Sequence, residues 1–226
     1  MTDKEIYCCG SAEYLNEYSG MSIKEGYVIA EKEWDFKHRP SQIFFTADCH
    51  FGHLNIIKYD NRPFTCIREM DEEMIARWNE TVAPQDTVYI LGDFSWYDDE
   101  KSAEILKRLN GKKILIDGNH DNNLGPLSRK EFKETHFGYW EIRDPNHRNV
   151  KLILSHYPIH FYNGQRKNAI MLYGHVHNGL DHEAVKEVQE IVAARTGIKS
   201  TMINVGCMHW DYRPRTLEEL LKGDHK

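Results

Sequence analysis

No stretch of the 226-residue chain stays apolar over the ~20 residues that a membrane-spanning helix needs, so a membrane protein is not expected. Cysteine is sparse. Cys8, Cys9, Cys49, Cys66 and Cys207 form no CxxC pair and no even-numbered framework, which argues against a disulfide scaffold and for a reducing compartment. The start, MTDKEIYCCG, carries acidic residues and no apolar core, so it reads as neither a secretory nor a lipoprotein signal. A soluble cytoplasmic protein is the expectation. Positive charge is short as well: a formal net charge of −6 argues against a dedicated surface for duplex nucleic acid. It does not exclude nucleotides, because a bound metal can reverse the sign of a local site. Internal repeats and Pro/Gly/Ser linkers are missing too. Residues 1–41 are the least patterned and are expected as an N-terminal extension packed on a single domain spanning 42–226.

Forty per cent apolar and twelve per cent aromatic residues suffice for a substantial core. From residue 42 onward, six short β-prone runs recur: QIFFTAD, TVYILGD, KKILIDGNHD, VKLILSH, AIMLYGH and TMINVG. Continuous apolar runs of this length, flanked by turn residues, predict buried strands. Within the first 40 residues, GYVIAEKEW at 26–34 is a further strand candidate, and KHRP after it reads as a turn.

Between the runs lie helical patterns. Ile67, Met70, Met74, Trp78 and Val82 recur at three- and four-residue intervals, predicting a helix over 67–82 with one stripe on the core. Val185, Val188 and Val192 do the same over 182–196, where Gly197 is placed to end the helix. Shorter helices are predicted at 99–109 and 216–222. Strands alternating with helices imply an α/β architecture with mostly parallel early strands. In such sheets the carboxyl ends of the strands open onto one crevice, so the residues closing each run would converge.

Those closing residues are Asp48 and His50, Asp93, Asn119 with His120 and Asp121, His156, and His175 with His177. Singly, each reads equally well as a turn or a satisfied histidine. Jointly they put many costly polar groups at one edge, where burial without partners is unfavourable and a cation is the natural partner. Imidazole, carboxylate and amide oxygen without thiolate suit manganese, iron or zinc in a catalytic centre rather than a Cys-rich structural site. The donors are too many for one catalytic ion but suit two that share a carboxylate, an arrangement fitted to phosphoryl displacement. In an extended strand, residues two apart share a face, so Asp48 and His50 would reach one metal while Cys49 points away as a packing residue.

D-x-H, GD, GNHD, a lone histidine after a strand and then GHxH, in this order over residues 42 to about 216, resemble the calcineurin-like metallophosphoesterase family. The resemblance implies an α/β/β/α fold, with two mixed sheets packed as a sandwich and flanked by helices. It implies two divalent or trivalent transition-metal ions, one held by Asp48, His50 and His177, the other by Asn119, His156 and His175, with Asp93 bridging. It also implies hydrolysis of phosphate mono- or diesters, nucleotides among them, by a metal-bridging hydroxide. His120 would assist the leaving group and Asp121 would orient His120. DCHFGHLNIIKYDNRPF and NVGCMHWDYRP are similar to a subgroup of small bacterial and phage phosphoesterases.

Outside the ligand set, His53 and Asn55 are expected on a loop over the metals, within reach of a substrate phosphate. Arg62 is a candidate phosphate fork, since a guanidinium matches two phosphate oxygens. Trp96, Tyr157, Tyr162 and Trp210 are read as packing residues, with a base-stacking wall as the alternative. Competing functions are a non-catalytic binding or scaffold module on the same fold, a nucleic-acid end-processing phosphatase or nuclease, and a thiol enzyme using Cys49 or Cys207.

Overall fold

The computed structural model describes residues 39–223 in full, together with the backbone of two short strands, β1 (Met21–Lys24) and β2 (Tyr27–Ala30), which pair antiparallel. The chain divides into two compact units, Met1–Arg39 and Pro40–Lys226. The expected packing of residues 1–41 on the core lies outside the described residues, as does most of the strand candidate at 26–34 beyond β2. Among the described residues no helix is long and apolar enough to cross a membrane.

The larger unit holds two mixed sheets. In the first, β3 (Ile43–Thr46), β4 (Thr87–Ile90), β5 (Lys112–Asp117) and β6 (Glu134–Phe137) run parallel, and β11 (Arg215–Thr216) pairs antiparallel with β3. In the second, β8 (Val150–Ser155), β9 (Ile170–Tyr173) and β10 (Thr201–Asn204) are parallel neighbours, and β7 (Tyr139–Asp144) lies antiparallel on the β8 edge. All six apolar runs form strands. The sequence reading missed β6, β7 and β11.

Because side chains alternate across a strand, each sheet has two apolar faces to cover. Phe45, Ile116, Leu152, Leu154, Ile170 and Leu172 point between the sheets and form the central layer of the sandwich. On the outer face of the first sheet, Phe44, Val88, Ile90 and Leu115 meet Met70, Met74, Ile75 and Trp78 of α2 (Ile67–Thr81) and Ile105 and Leu106 of α3 (Asp99–Arg108). On the outer face of the second, Ile153, Met171 and Tyr173 meet Val185 of α5 (Leu180–Thr196), which Gly197 terminates in the left-handed conformation. The architecture is the expected α/β/β/α sandwich. The remaining helices are α1 (Leu54–Tyr59), α4 (Pro126–Arg129) and α6 (Leu217–Lys222), the last capped by a reciprocal Thr216–Glu219 box.

Candidate metal centre

The loops leaving β3 and β4 run side by side at the carboxyl edge of the first sheet. The Asp48 N–H donates to Gly92 O at 3.1 Å, His50 N–H to Asp93 O at 3.0 Å and Phe51 N–H to Phe94 O at 3.1 Å. Asp48 and His50 do not lie on a strand, since β3 ends at Thr46. Asp48, His50, Asp93 and His175 all take left-handed backbone, with φ of 55°, 53°, 55° and 70°. That region is costly for residues with a Cβ and persists where the surroundings over-determine it. Here the alternate reversals bring Asp48 and His50 to the same side, and Cys49 is buried in the core behind them. The expected outcome thus arises from backbone strain, not from strand pleat.

Two groups of donor atoms form, each with its atoms within 4.8 Å of one another: Asp48, His50 and His177, and Asp93, His156 and His175. In the first, His50 Nε2 lies 3.3 Å from His177 Nε2. His177 Nδ1 is 2.7 Å from Asp60 Oδ1, so the Nδ1–H donates to the carboxylate and Nε2 keeps its lone pair for the centre. In the second group His156 Nδ1 donates to Leu91 O at 2.8 Å, which frees Nε2. That atom lies 3.2 Å from His175 Nδ1 and 2.9 Å from Asn119 Oδ1. Asp93 Oδ2 lies between the groups, 3.6 Å from His50 Nε2 and 3.5 Å from His156 Nε2. Acceptor atoms this close, with few protons among them, repel one another unless cations sit between them. The donor set therefore fits two metal ions.

The electrostatics agree. Burial pushes the Asp48 carboxyl up to about 6, although His156 and His177 pull it down. Its oxygens accept the His175 N–H at 3.0 and 3.1 Å. His50 is driven well below the usual imidazole range, by burial first and then by His177. Burial would lower His177 too, but the Asp60 hydrogen bond and the Asp48 charge hold it above that range. A cation at Nε2 would take the place of that proton.

Around this centre Asp121, Arg62 and Asn55 stand apart from the sequence reading, whereas His120, expected as a non-ligand, does not. His120 joins neither group: its N–H donates to Asp93 Oδ1 at 2.9 Å, and its exposed ring tilts against Trp96 at 4.6 Å. Asp121 does not face the His120 ring. Its buried carboxylate accepts the backbone N–H groups of Asp93 (2.9 Å), Phe94 (2.9 Å) and Gly118 (2.8 Å), tying the GD and GNHD turns together.

Arg62 is not a substrate-facing fork. Its side chain is buried, with Nη1 donating to Cys49 O at 2.8 Å, Nη2 to Asp48 O at 2.9 Å and Nε to Asp60 Oδ2 at 3.0 Å. A guanidinium without solvent access cannot reach a phosphate, and this one braces the Asp48–Cys49 turn from beneath. His53 caps α1 at the rim, stacked on Trp96 at 4.1 Å and 9°. Asn55 is exposed in the first turn of α1, a helix where a loop was expected. The two thiols named as candidate nucleophiles, Cys49 and Cys207, are both buried away from solvent, with Cys49 raised by Cys207 and by burial and Cys207 Sγ donating to Asp48 O at 3.2 Å.

The family model described as calcineurin-like phosphoesterase matches residues 41–192. Protein MJ1445 of Methanocaldococcus jannaschii is 33% identical over 184 residues, covering 80% of this chain and 90% of its own length. The gene 66 protein of Mycobacterium phage L5 is 28% identical over 168 residues, 61% of this chain and 78% of that protein. Among solved structures, AQ665 of Aquifex aeolicus, titled a protein of unknown function, superposes with a TM-score of 0.62 at 28% identity, over 81% of this chain and 99% of its own. With the donor geometry, the matched sequence and the shared sandwich in agreement, the chain belongs to the calcineurin-like phosphoesterase family.

Proposed function

We propose that the protein hydrolyses phosphate esters at a two-metal centre. One observation carries the reading: a single carboxylate oxygen, Asp93 Oδ2, stands almost equally far from His50 Nε2 and His156 Nε2, at 3.6 and 3.5 Å. Asp48, His50 and His177 would hold one ion, and Asn119, His156 and His175 the other, with Asp93 shared. Manganese, iron or zinc suits this nitrogen and oxygen set. When bound, such a pair of ions supplies an activated water and a clamp for phosphoryl oxygens.

The chain's own groups do the rest. Asp60 and Leu91 O fix the tautomers of His177 and His156, so both present Nε2 to the centre. Asp121 holds the Asp93 backbone, and the His120 N–H holds the Asp93 carboxylate. His120 is exposed beside the centre without joining either donor group, the place for a histidine that protonates a departing oxygen.

Asp93→Ala should abolish metal-dependent hydrolysis of bis(4-nitrophenyl) phosphate and 4-nitrophenyl phosphate; near-normal turnover would refute the shared-carboxylate assignment. His120→Ala should keep its metal content by elemental analysis while kcat falls by roughly 10²–10⁴. Loss of metal from that variant would make His120 a ligand instead.

A further inference from the structure

We infer that Trp96 is a stacking platform for the nucleobase of the substrate, so that the centre acts on a nucleotide or on a single-stranded nucleic-acid segment. The inference rests on the phosphoesterase reading above.

Trp96 is 47% exposed, so a large part of the residue stays open to solvent among the rings that surround the centre. Its position is fixed. The backbone N–H donates to Phe51 O at 2.8 Å, which anchors it to the loop that carries Asp48 and His50. The indole packs flat on His53 at 4.1 Å and leans on His120 at 4.6 Å, with its centroid 6.3 Å from the His50 ring. Trp96 thus keeps 47% of its surface accessible while lying in contact with the candidate leaving-group histidine.

The rest of the rim has the same character. Tyr59, 73% exposed, stands edge-on to His53 at 6.4 Å. Tyr157, 46% exposed, packs against His175 at 4.6 Å, with its hydroxyl 3.5 Å from Asn119 Oδ1. By contrast the Arg62 guanidinium, bonded to Asp48 O and Cys49 O, is buried beneath the centre. A rim built to grip a bare phosphate would present guanidinium or ammonium donors. A rim of exposed aromatic rings recognises a π-face, and base–aromatic stacking tolerates any base. In a duplex the base faces are already stacked on one another, so the platform favours free nucleotides or unpaired strands. Tyr162 and Trp210 take no part: both are buried, bonded to Thr201 O and Asn204 O.

The test uses the full chain loaded with manganese, as wild type, W96A and W96F, on two substrate pairs. One pair is adenosine 5′-monophosphate and ribose 5-phosphate; the other is an adenine dinucleotide and its counterpart with one abasic residue. W96A should lower the ratio of kcat/KM for the base-bearing over the base-free ester about tenfold, and W96F should restore most of it. The pair in which the ratio falls identifies nucleotide or strand as the source of the base. Independently of turnover, the base-bearing ligands should quench tryptophan emission in the wild type more than in W96F. An unchanged ratio with equal quenching in both proteins overturns the inference, even if every ester is hydrolysed. Trp96-dependent quenching with no hydrolysis of any of the four esters upholds the stacking and overturns the phosphoesterase reading instead.

Discussion

Asp60 is the residue through which the centre's first donor group is oriented. It caps the end of α1, and its two oxygens serve different masters, Oδ1 at 2.7 Å from His177 Nδ1 and Oδ2 at 2.9 and 3.0 Å from the Arg62 guanidinium. Burial alone would raise this carboxyl, but His177 and Arg62 hold it below the usual range, so it stays ionised. Asp60→Asn keeps an acceptor for His177 but removes the charge that balances Arg62. Metal affinity should fall by roughly 10- to 100-fold, the usual cost of losing a histidine's outer carboxylate, as read by competition with a chromophoric chelator. Unchanged affinity would show that His177 does not depend on it. The ligand types were legible in the sequence because each closes an apolar run. Asp60 was not, since it follows a six-residue helix, α1, that no strong periodicity announces. For the same reason Arg62 looked like a phosphate fork: its chemistry is visible in the sequence, but the folding of α1 under the Asp48 turn is not.

At the scale of elements, the buried strands were readable because both faces of each sheet are covered, which makes their sequences continuously apolar. β6 (ETHF) and β7 (YWEIRD) sit at sheet edges with exposed positions, so neither pattern appears, and β11 is two residues long. In the turns that carry the ligands, the glycines answer to space. A Cβ on Gly118 would lie 2.3 Å from Asp93 Oδ1 and 2.7 Å from Asp93 N; one on Gly92, which has φ 84°, would lie 2.4 Å from His156 Nδ1. The ends of β4 and β5 therefore approach closely enough to share Asp93 only while both stay bare. Gly118→Ala is unobstructed by its own backbone and fails on contact alone. It should cost about 1–3 kcal/mol in thermal unfolding, as overpacking does, and reduce the metal bound per chain. A variant with full metal content and activity would mean that Asp93 has room to move.

For the whole molecule, one buried carboxyl links the helical layer to both loops of the centre and sets a pH dependence. Asp71 projects from α2, accepting the Gly52 N–H at 3.1 Å and the Tyr97 hydroxyl at 2.8 Å, and is 6% exposed. Burial raises it from 3.8 to about 6, against the opposing pull of those two hydrogen bonds. The folded state therefore holds this proton more tightly than the unfolded chain. The stability it contributes is complete below pH 3.8, declines as pH rises through about 6, and is absent above that. The interval corresponds to about 3 kcal/mol at most. Asp71→Asn keeps an acceptor for Gly52 and carries no titrating proton, so its stability should lack this decline. Denaturant unfolding of both proteins at several values between pH 4 and 8, with chelator present so that metal binding does not contribute, isolates the difference. Relative to wild type, the variant should gain stability across pH 4 to 6 and hold the gain above it. Parallel curves would mean that Asp71 is ionised as easily in the folded protein as in the unfolded chain, and that water reaches the junction of α2 with the two loops.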